Sequence, residues 1–245
     1  MADVRVYDTP MTLALTVAQQ FRDLAEQAIA ARGRFVVALA GGSTPKNTYD
    51  LLARDFANTI DWHFVQFFWG DERTVPPDHH DNNARMARET LLDHVRVPLQ
   101  NIHRIKGELE PQAAADDYEA LLRDFFKTRM GVERARFDLV LLGMGKDGHT
   151  ASLFPGTAAI HQQERWVVAH HVESMDTWRI TLTPVALNAA TRVMFVVAGE
   201  DKAETLKQVL EGEEQPDVYP SQIIKPSDGQ LQWLVDREAA SLLTR

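Results

Sequence analysis

The distribution of apolar residues along the chain divides it into short strand-like runs and longer helical stretches. Phe35–Ala40, Phe64–Trp69, Phe137–Leu142, Arg192–Val197 and Leu231–Val235 are dominated by apolar residues and bounded by glycine or polar turns. That is the pattern of strands buried on both faces of a parallel sheet. Trp166–Val172 and Arg179–Thr183 read as two more strands separated by a turn, and Ile102–Ile105 is a short apolar segment. Between these runs apolar residues recur at helical spacing. Thr12–Arg32 carries Leu13, Val17, Phe21, Leu24 and Ala28 on one face, with Gly33 as a stop signal. A second helix carries Tyr49, Leu51, Leu52 and Phe56. A third is capped by Asp81 and runs to His94. A fourth runs from Pro111 to Met130 with Tyr118, Leu122 and Phe125 inward, and a fifth from Lys202 to Leu210. A C-terminal helix follows the last strand. Strands alternating with helices imply right-handed crossovers. The prediction is therefore an α/β protein: one domain over residues 1–245, with a mainly parallel, doubly wound (Rossmann-like) sheet flanked by helices. No fixed-period repeat interrupts this pattern, and the acidic 211–218 patch is short enough to be a loop.

Composition adds exclusions. The chain has 245 residues, 44% hydrophobic and 25% charged, enough to bury a full core. A net charge of −9 speaks against nonspecific binding to nucleic acid or an anionic membrane, while leaving room for a local basic pocket. With no cysteine, disulfides, thiolate metal sites and thiol nucleophiles are excluded. The first 21 residues lack a basic start, apolar core and cleavage site. No run approaches the roughly 20 apolar residues that span a bilayer. These features lead to the expectation of a cytoplasmic location. Oligomeric state is not written in the sequence.

Candidate chemistry clusters where predicted strands end, which is where open α/β sheets bind ligands. After Phe137–Leu142 the chain breaks into Gly143-Met144-Gly145-Lys146-Asp147-Gly148 and delivers His149. A histidine titrates near neutrality and suits general-base work. Asp147, two residues away, is placed to orient the ring or to bind substrate hydroxyls. Gly41-Gly42-Ser43-Thr44-Pro45 links a strand to a helix, with Ser43 or Thr44 as cap and Pro45 in the first turn. Such a helix start offers free N–H groups to a phosphate, although the same residues also make an ordinary strand–helix turn. It is neither a GxGxxG nor a GxxxxGK[ST] loop, so dinucleotide and ATP readings are weak. Asp71-Glu72-Arg73 follows the Phe64–Trp69 run and reads either as a solvated turn or as part of the same rim. Thr150 and Ser152 lack the GxSxG surroundings of a nucleophile elbow. His79-His80-Asp81 and His170-His171 invite a metal reading. Adjacent histidines on an extended segment point apart, however, so no metal site is expected.

Taken together, Ala40–Pro45 (AGGSTP), Gly70–Pro76 (GDERTVP), Asp81–Asn83 (DNN), Gly143–Pro155 (GMGKDGHTASLFP), Arg179–Thr183 (RITLT), Val197–Ala203 (VAGEDKA) and Tyr219–Gln222 (YPSQ) resemble the 6-phosphogluconolactonase family, a relative of the glucosamine-6-phosphate isomerase/deaminase family. The blocks run in order over nearly the whole chain. Asp71-Glu72-Arg73 and Gly148–Pro155 match the lactonases rather than the deaminases, which typically show DEY and a GHIAFNEP-like segment. Two departures are Asn82, where the family often has Ser, and Asp176-Thr177-Trp178, which replaces a proline-rich approach to RIT.

The resemblance implies hydrolysis of 6-phospho-D-glucono-1,5-lactone, a small sugar phosphate lactone of the oxidative pentose phosphate pathway, with no cofactor and no metal. It implies His149 as general base and Asp71 and Asp147 as orienting carboxylates. The phosphate would be held by Gly41, Gly42, Ser43, Thr44, Arg179 and Lys202, with Arg73 either a further phosphate ligand or the oxyanion stabiliser. The competing readings are a glucosamine-6-phosphate deaminase, a noncatalytic sugar-phosphate-binding protein and a general phosphatase. His149 speaks against the second, and the absence of a nucleophile elbow against the third.

Overall fold

The structure, a computed structural model, describes residues 3–244. In chain order the elements begin β1 (Asp3–Tyr7), α1 (Pro10–Arg32), β2 (Phe35–Leu39), α2 (Ser43–Asp55), β3 (Val65–Trp69), β4 (Asp71–Arg73), α3 (Asn83–Ala87) and α4 (Pro111–Asp124). They continue with β5 (Leu139–Leu142), β6 (Val167–Val172), β7 (Thr177–Leu182), α5 (Pro184–Leu187), β8 (Arg192–Val197), α6 (Ala203–Glu211) and β9 (Gln230–Asp236). Six strands lie parallel in the order β1-β9-β8-β5-β2-β3, five of them at the predicted apolar runs. A second, three-stranded antiparallel sheet has the order β4-β7-β6.

Every residue of β2, β3 and β5 is buried, which is why these strands are apolar throughout except for Gln66, whose side chain meets His103. One apolar cluster joins the two sheets and the helices, and Phe68 is its aromatic centre. Its ring meets Phe125 and Phe137 edge-on at 4.9 and 5.6 Å, the arrangement favoured by ring quadrupoles. Asp138, at the start of the central run, is buried for a structural reason. Its carboxylate accepts the Val36 N–H at 2.8 Å and pairs with Arg32 at 2.5 Å, locking β5 to β2 and to the end of α1.

Several expectations are corrected. Strand β1 was not anticipated; it forms because Asp3–Tyr7 can pair with β9 along its full length at the sheet edge. Helix α1 starts at Pro10 rather than Thr12, because Thr9 and Thr12 make a reciprocal capping box. Gly33 takes the left-handed stop conformation, with φ 70°. The cap of α3 is Asn82, not Asp81: its side chain accepts the Arg85 N–H at 2.8 Å, while the carbonyl of Asp81 is turned to Arg73. Ser43 and Thr44 do not cap α2; Gly42 holds that position, without a side-chain bond. Strand β7 begins two residues before Arg179, at Thr177. The predicted C-terminal helix is a series of turns after Asp236, whose carboxylate binds the N–H groups of Gly199 and Ala239. Among the described residues no helix is long and apolar enough to cross a membrane.

Candidate active site

The parallel sheet changes winding direction between β2 and β5: the chain leaves β2 outward to β3, but leaves β5 toward β8 on the other side. Crevices at such a point, outside the carboxyl ends of the strands, are where open α/β folds bind ligands. Here the crevice is an open cavity of about 270 Å³. Its walls come from the segment after β2, the turn after β5, strand β4, and Lys202 beyond β8.

His149 hangs on the turn after β5. The loop closes on itself through Gly145 N–H to His149 O (2.9 Å) and Gly148 N–H to Gly145 O (3.1 Å). It is braced from the 220–223 segment, where the N–H and hydroxyl of Ser221 both donate to the carbonyl of Gly148. The imidazole Nδ1 sits 2.5 Å from Asp147 Oδ1, and the His149 N–H also reaches that oxygen at 3.2 Å. Burial works against the charge of Asp147, but its bonds to His149 outweigh burial and hold the carboxyl below its ordinary range. A carboxylate accepting from Nδ1–H leaves the Nε2 lone pair free. The Phe154 ring packs at 4.3 Å from the imidazole and limits its rotation. Gly145 is required here, since a Cβ on it would stand 2.1 Å from His149 Nδ1.

Facing this turn is the start of α2. Gly42, with φ 95°, lets the chain swing from β2 into the helix. No side chain caps the helix, so the orphan N–H groups of its first turn remain available to a ligand, at the positive end of the helix dipole. Lys202 lines the same cavity, its ammonium 3.4 Å from Asp201. Arg73 comes from β4, and its Nη1 donates to the carbonyl of Asp81 at 2.7 Å.

The segment Asp71-Glu72-Arg73 is thus neither a solvated turn nor a surface ion pair. It is a strand, hydrogen-bonded to β7, with Asp71 and Glu72 buried. Asp71 accepts the hydroxyl of Ser152 at 2.6 Å, which ties β4 to the His149 loop. Next to it Asn83 donates to the Asp71 carbonyl at 3.0 Å. Arg179 pairs in register with Arg73 but does not line the cavity: its guanidinium donates to Thr177 Oγ1 and to the Trp178 carbonyl. Burial, and then the neighbouring Arg73, pull its pKa below the ordinary arginine value.

Gly41, Gly42, Ser43, Thr44, Asp71, Arg73, His149 and Lys202 are therefore brought to one cavity, with Asp147 directly behind His149 and Arg179 beside Arg73 on the neighbouring strand. Asn83 and Ser152 were missed as site residues. For Asn83 the DNN block was the available signal. Ser152 could be weighed only as a nucleophile, because its partner Asp71 lies far away in sequence.

Contrary to expectation, His79-His80-Asp81 is a turn and not an extended segment, so the two rings tilt together at 4.2 Å and the three donor atoms lie within 4.8 Å of one another. The His79 Nδ1 lone pair is already engaged by the Asp81 N–H at 3.2 Å, and the group is exposed. His170 and His171 lie on the extended strand β6, at the edge of the three-stranded sheet.

A sequence model of the family described as glucosamine-6-phosphate isomerases/6-phosphogluconolactonase matches residues 8–233. A 6-phosphogluconolactonase of Nostoc sp. is 43% identical over 220 residues, covering 89% of each chain. A 6-phosphogluconolactonase of Haemophilus influenzae is 38% identical over 208 residues, covering 84% of this chain and 87% of its own. Among solved structures, the 6-phosphogluconolactonase of Trypanosoma brucei superposes with a TM-score of 0.86 at 28% identity, covering 100% of this chain and 99% of that one. A monomeric glucosamine-6-phosphate deaminase shares the fold, with a TM-score of 0.82 at 21% identity over 98% of this chain and 99% of its own.

Proposed function

The chain belongs to the glucosamine-6-phosphate isomerase/6-phosphogluconolactonase family, and from that premise we propose that it hydrolyses 6-phospho-D-glucono-1,5-lactone to 6-phosphogluconate with His149 as general base. One observation carries the assignment of roles. The Asp147–His149 pair, at 2.5 Å, opens onto the same cavity as an uncapped helix start and Lys202. A base and an anion cradle are what a phosphorylated lactone needs.

The lactone carbonyl is already electrophilic, so a positioned base and a stabilised oxyanion suffice. Nε2 of His149 takes a proton from water as its oxygen bonds to the carbonyl carbon, and the carbonyl π electrons move to oxygen. Asp147 accepts from Nδ1–H and stabilises the imidazolium. As the tetrahedral centre collapses, the bond to the ring oxygen breaks and the imidazolium returns the proton to that oxygen. The products are the open-chain acid and its new hydroxyl. The 6-phosphate dianion is matched by the N–H groups at 42–44 and the Lys202 ammonium. Arg73 adds a fixed positive charge to the cavity, and Arg179, beside it on β7 with its guanidinium held by Thr177 and Trp178, adds to the local field rather than binding substrate directly. Asp71 holds the wall beside the His149 loop.

The test is a coupled assay in which glucose-6-phosphate dehydrogenase generates the lactone and 6-phosphogluconate formation is followed above the spontaneous rate. No excess over that background rejects the proposal. Ammonia release from glucosamine-6-phosphate would assign the chain to the deaminase branch instead.

A further inference from the structure

The mechanism above does not use one carboxylate set into the wall of the cavity. Along β4 the side chains alternate, so Asp71 and Arg73 reach the cavity while Glu72 points away from it, fully buried. Glu72 Oε1 accepts the N–H of its neighbour Arg73 at 2.9 Å and of Asn83 at 2.8 Å, and Oε2 accepts that of Ala84 at 3.0 Å. All three partners are backbone donors, and among the described residues Glu72 forms no ion pair with a cation. A buried, unpaired carboxylate is an expensive way to cap a short helix, because Asn82 already supplies a cap and an amide or hydroxyl is easier to bury.

The geometry shows what the carboxylate joins. Arg73 contributes the positive charge of β4 to the cavity, and Asn83 is the first residue of α3, with its side chain on the same wall. The side chain of Asn83 leans so close to the phosphate-facing loop that a Cβ on Gly41 would stand 2.0 Å from its Oδ1. Strand β4 and the start of α3 are separated in sequence by the 74–82 loop, and two of the three N–H bonds of Glu72 cross that gap.

We propose that Glu72 is a positioning residue for the lactonase reaction: its carboxylate clamps the start of α3 to β4, and so fixes Arg73 and Asn83 at the cavity wall. The proposal rests on the lactonase reading given above. A carboxylate serves this role because both of its oxygens accept, whereas an amide presents one acceptor and one donor.

The test is a double-mutant cycle of Glu72→Gln with Arg73→Ala, read by kcat and KM in the coupled lactonase assay, with the melting temperature of each variant measured alongside. Glu72→Gln keeps the shape but turns one oxygen into an NH2 group that faces an N–H. In the wild-type background it is expected to lower kcat/KM at least tenfold; a smaller loss overturns the proposal. In the Arg73→Ala background the same change is expected to cost less than threefold, because the charged one of the two groups being positioned is gone and only Asn83 remains to be held. A loss of the same factor in both backgrounds means that Glu72 is merely structural, and also overturns it. If Glu72→Gln does not fold, the cycle is run with Glu72→Asp, which keeps the carboxyl group but withdraws both oxygens by one methylene. An inactive wild type would reject the lactonase reading before the cycle begins, whereas an active wild type with independent losses rejects only the role of Glu72.

Discussion

Gly145→Ala isolates the geometry of the catalytic pair from the stability of the fold. Gly145 does not have a positive φ, so alanine is compatible with its backbone. The added Cβ would lie 2.1 Å from His149 Nδ1, 2.2 Å from Cε1 and 2.6 Å from Asp147 Oδ1. Unstrained contacts of this kind sit at about 3.5 Å, so the ring must retreat by about 1.4 Å or swing aside. All three atoms belong to side chains at the cavity rim, and yielding there costs the fold little. Alanine also reduces the entropy of the unfolded chain, offsetting about 0.4–1 kcal/mol. The chemistry has no such slack, because the 2.5 Å bond to Asp147 is lost as the ring moves. A misplacement of about 1 Å costs on the order of 10²-fold in rate, within the about 10²–10⁴-fold that a general base contributes. The expected result in the coupled lactonase assay is a kcat about 10²-fold lower. KM should stay within about threefold, since residues 42–44 and Lys202 are untouched. A folded Gly145→Ala enzyme with wild-type kcat would refute the claim that the His149–Asp147 geometry sets the rate.

Removing the base itself, His149→Ala, should lower kcat by about 10²–10⁴-fold with little change in KM, and wild-type turnover would remove His149 from the mechanism. Lys202→Ala should chiefly raise KM, by about tenfold for the loss of one charge-assisted phosphate contact; an unchanged KM would place the phosphate elsewhere. Glu119 on α4 joins Arg123 and Arg165 at 2.7 and 2.8 Å. Burial opposes its charge, but the two arginines outweigh burial and hold its pKa below 4.5. With the folded-state value depressed, its stabilising contribution is complete above about pH 4.5 and fades as pH falls through the folded-state value. Glu119→Gln should therefore lose about 1–3 kcal/mol at pH 7 in denaturant melts. Its difference from wild type should shrink in acid, and a constant difference down to pH 3 would contradict the sign.

Much of this was legible in the order of the residues. Apolar runs locate buried strands because a strand covered on both faces has no polar positions to alternate, as in Phe35–Leu39 and Leu139–Leu142. Strand β1 escaped notice for the opposite reason. Asp3–Tyr7 sits at an edge, is mostly exposed, and becomes a strand only because β9 offers it a partner. Asp71-Glu72-Arg73 reads as a turn because three charged residues in a row suggest solvent; it is β7 that makes them a strand. Arg179, expected on the phosphate, is set beside Arg73 by the same pairing, with its guanidinium donating to Thr177 and Trp178.

By itself the sequence determined the class of the fold, the loops that carry chemistry, and the residue types in them: a histidine on a glycine turn, an aspartate two positions before it, and a glycine-rich helix start. These are local facts, set by spacing and by the conformations that glycine permits. Only the tertiary structure decided which groups meet: Ser152 with Asp71, Glu72 with the start of α3, Asn83 against Gly41. The reason is that strand order and crossovers bring the ends of β2, β4, β5 and β8 together across long separations in sequence. A contact of that kind leaves no periodic mark on either partner.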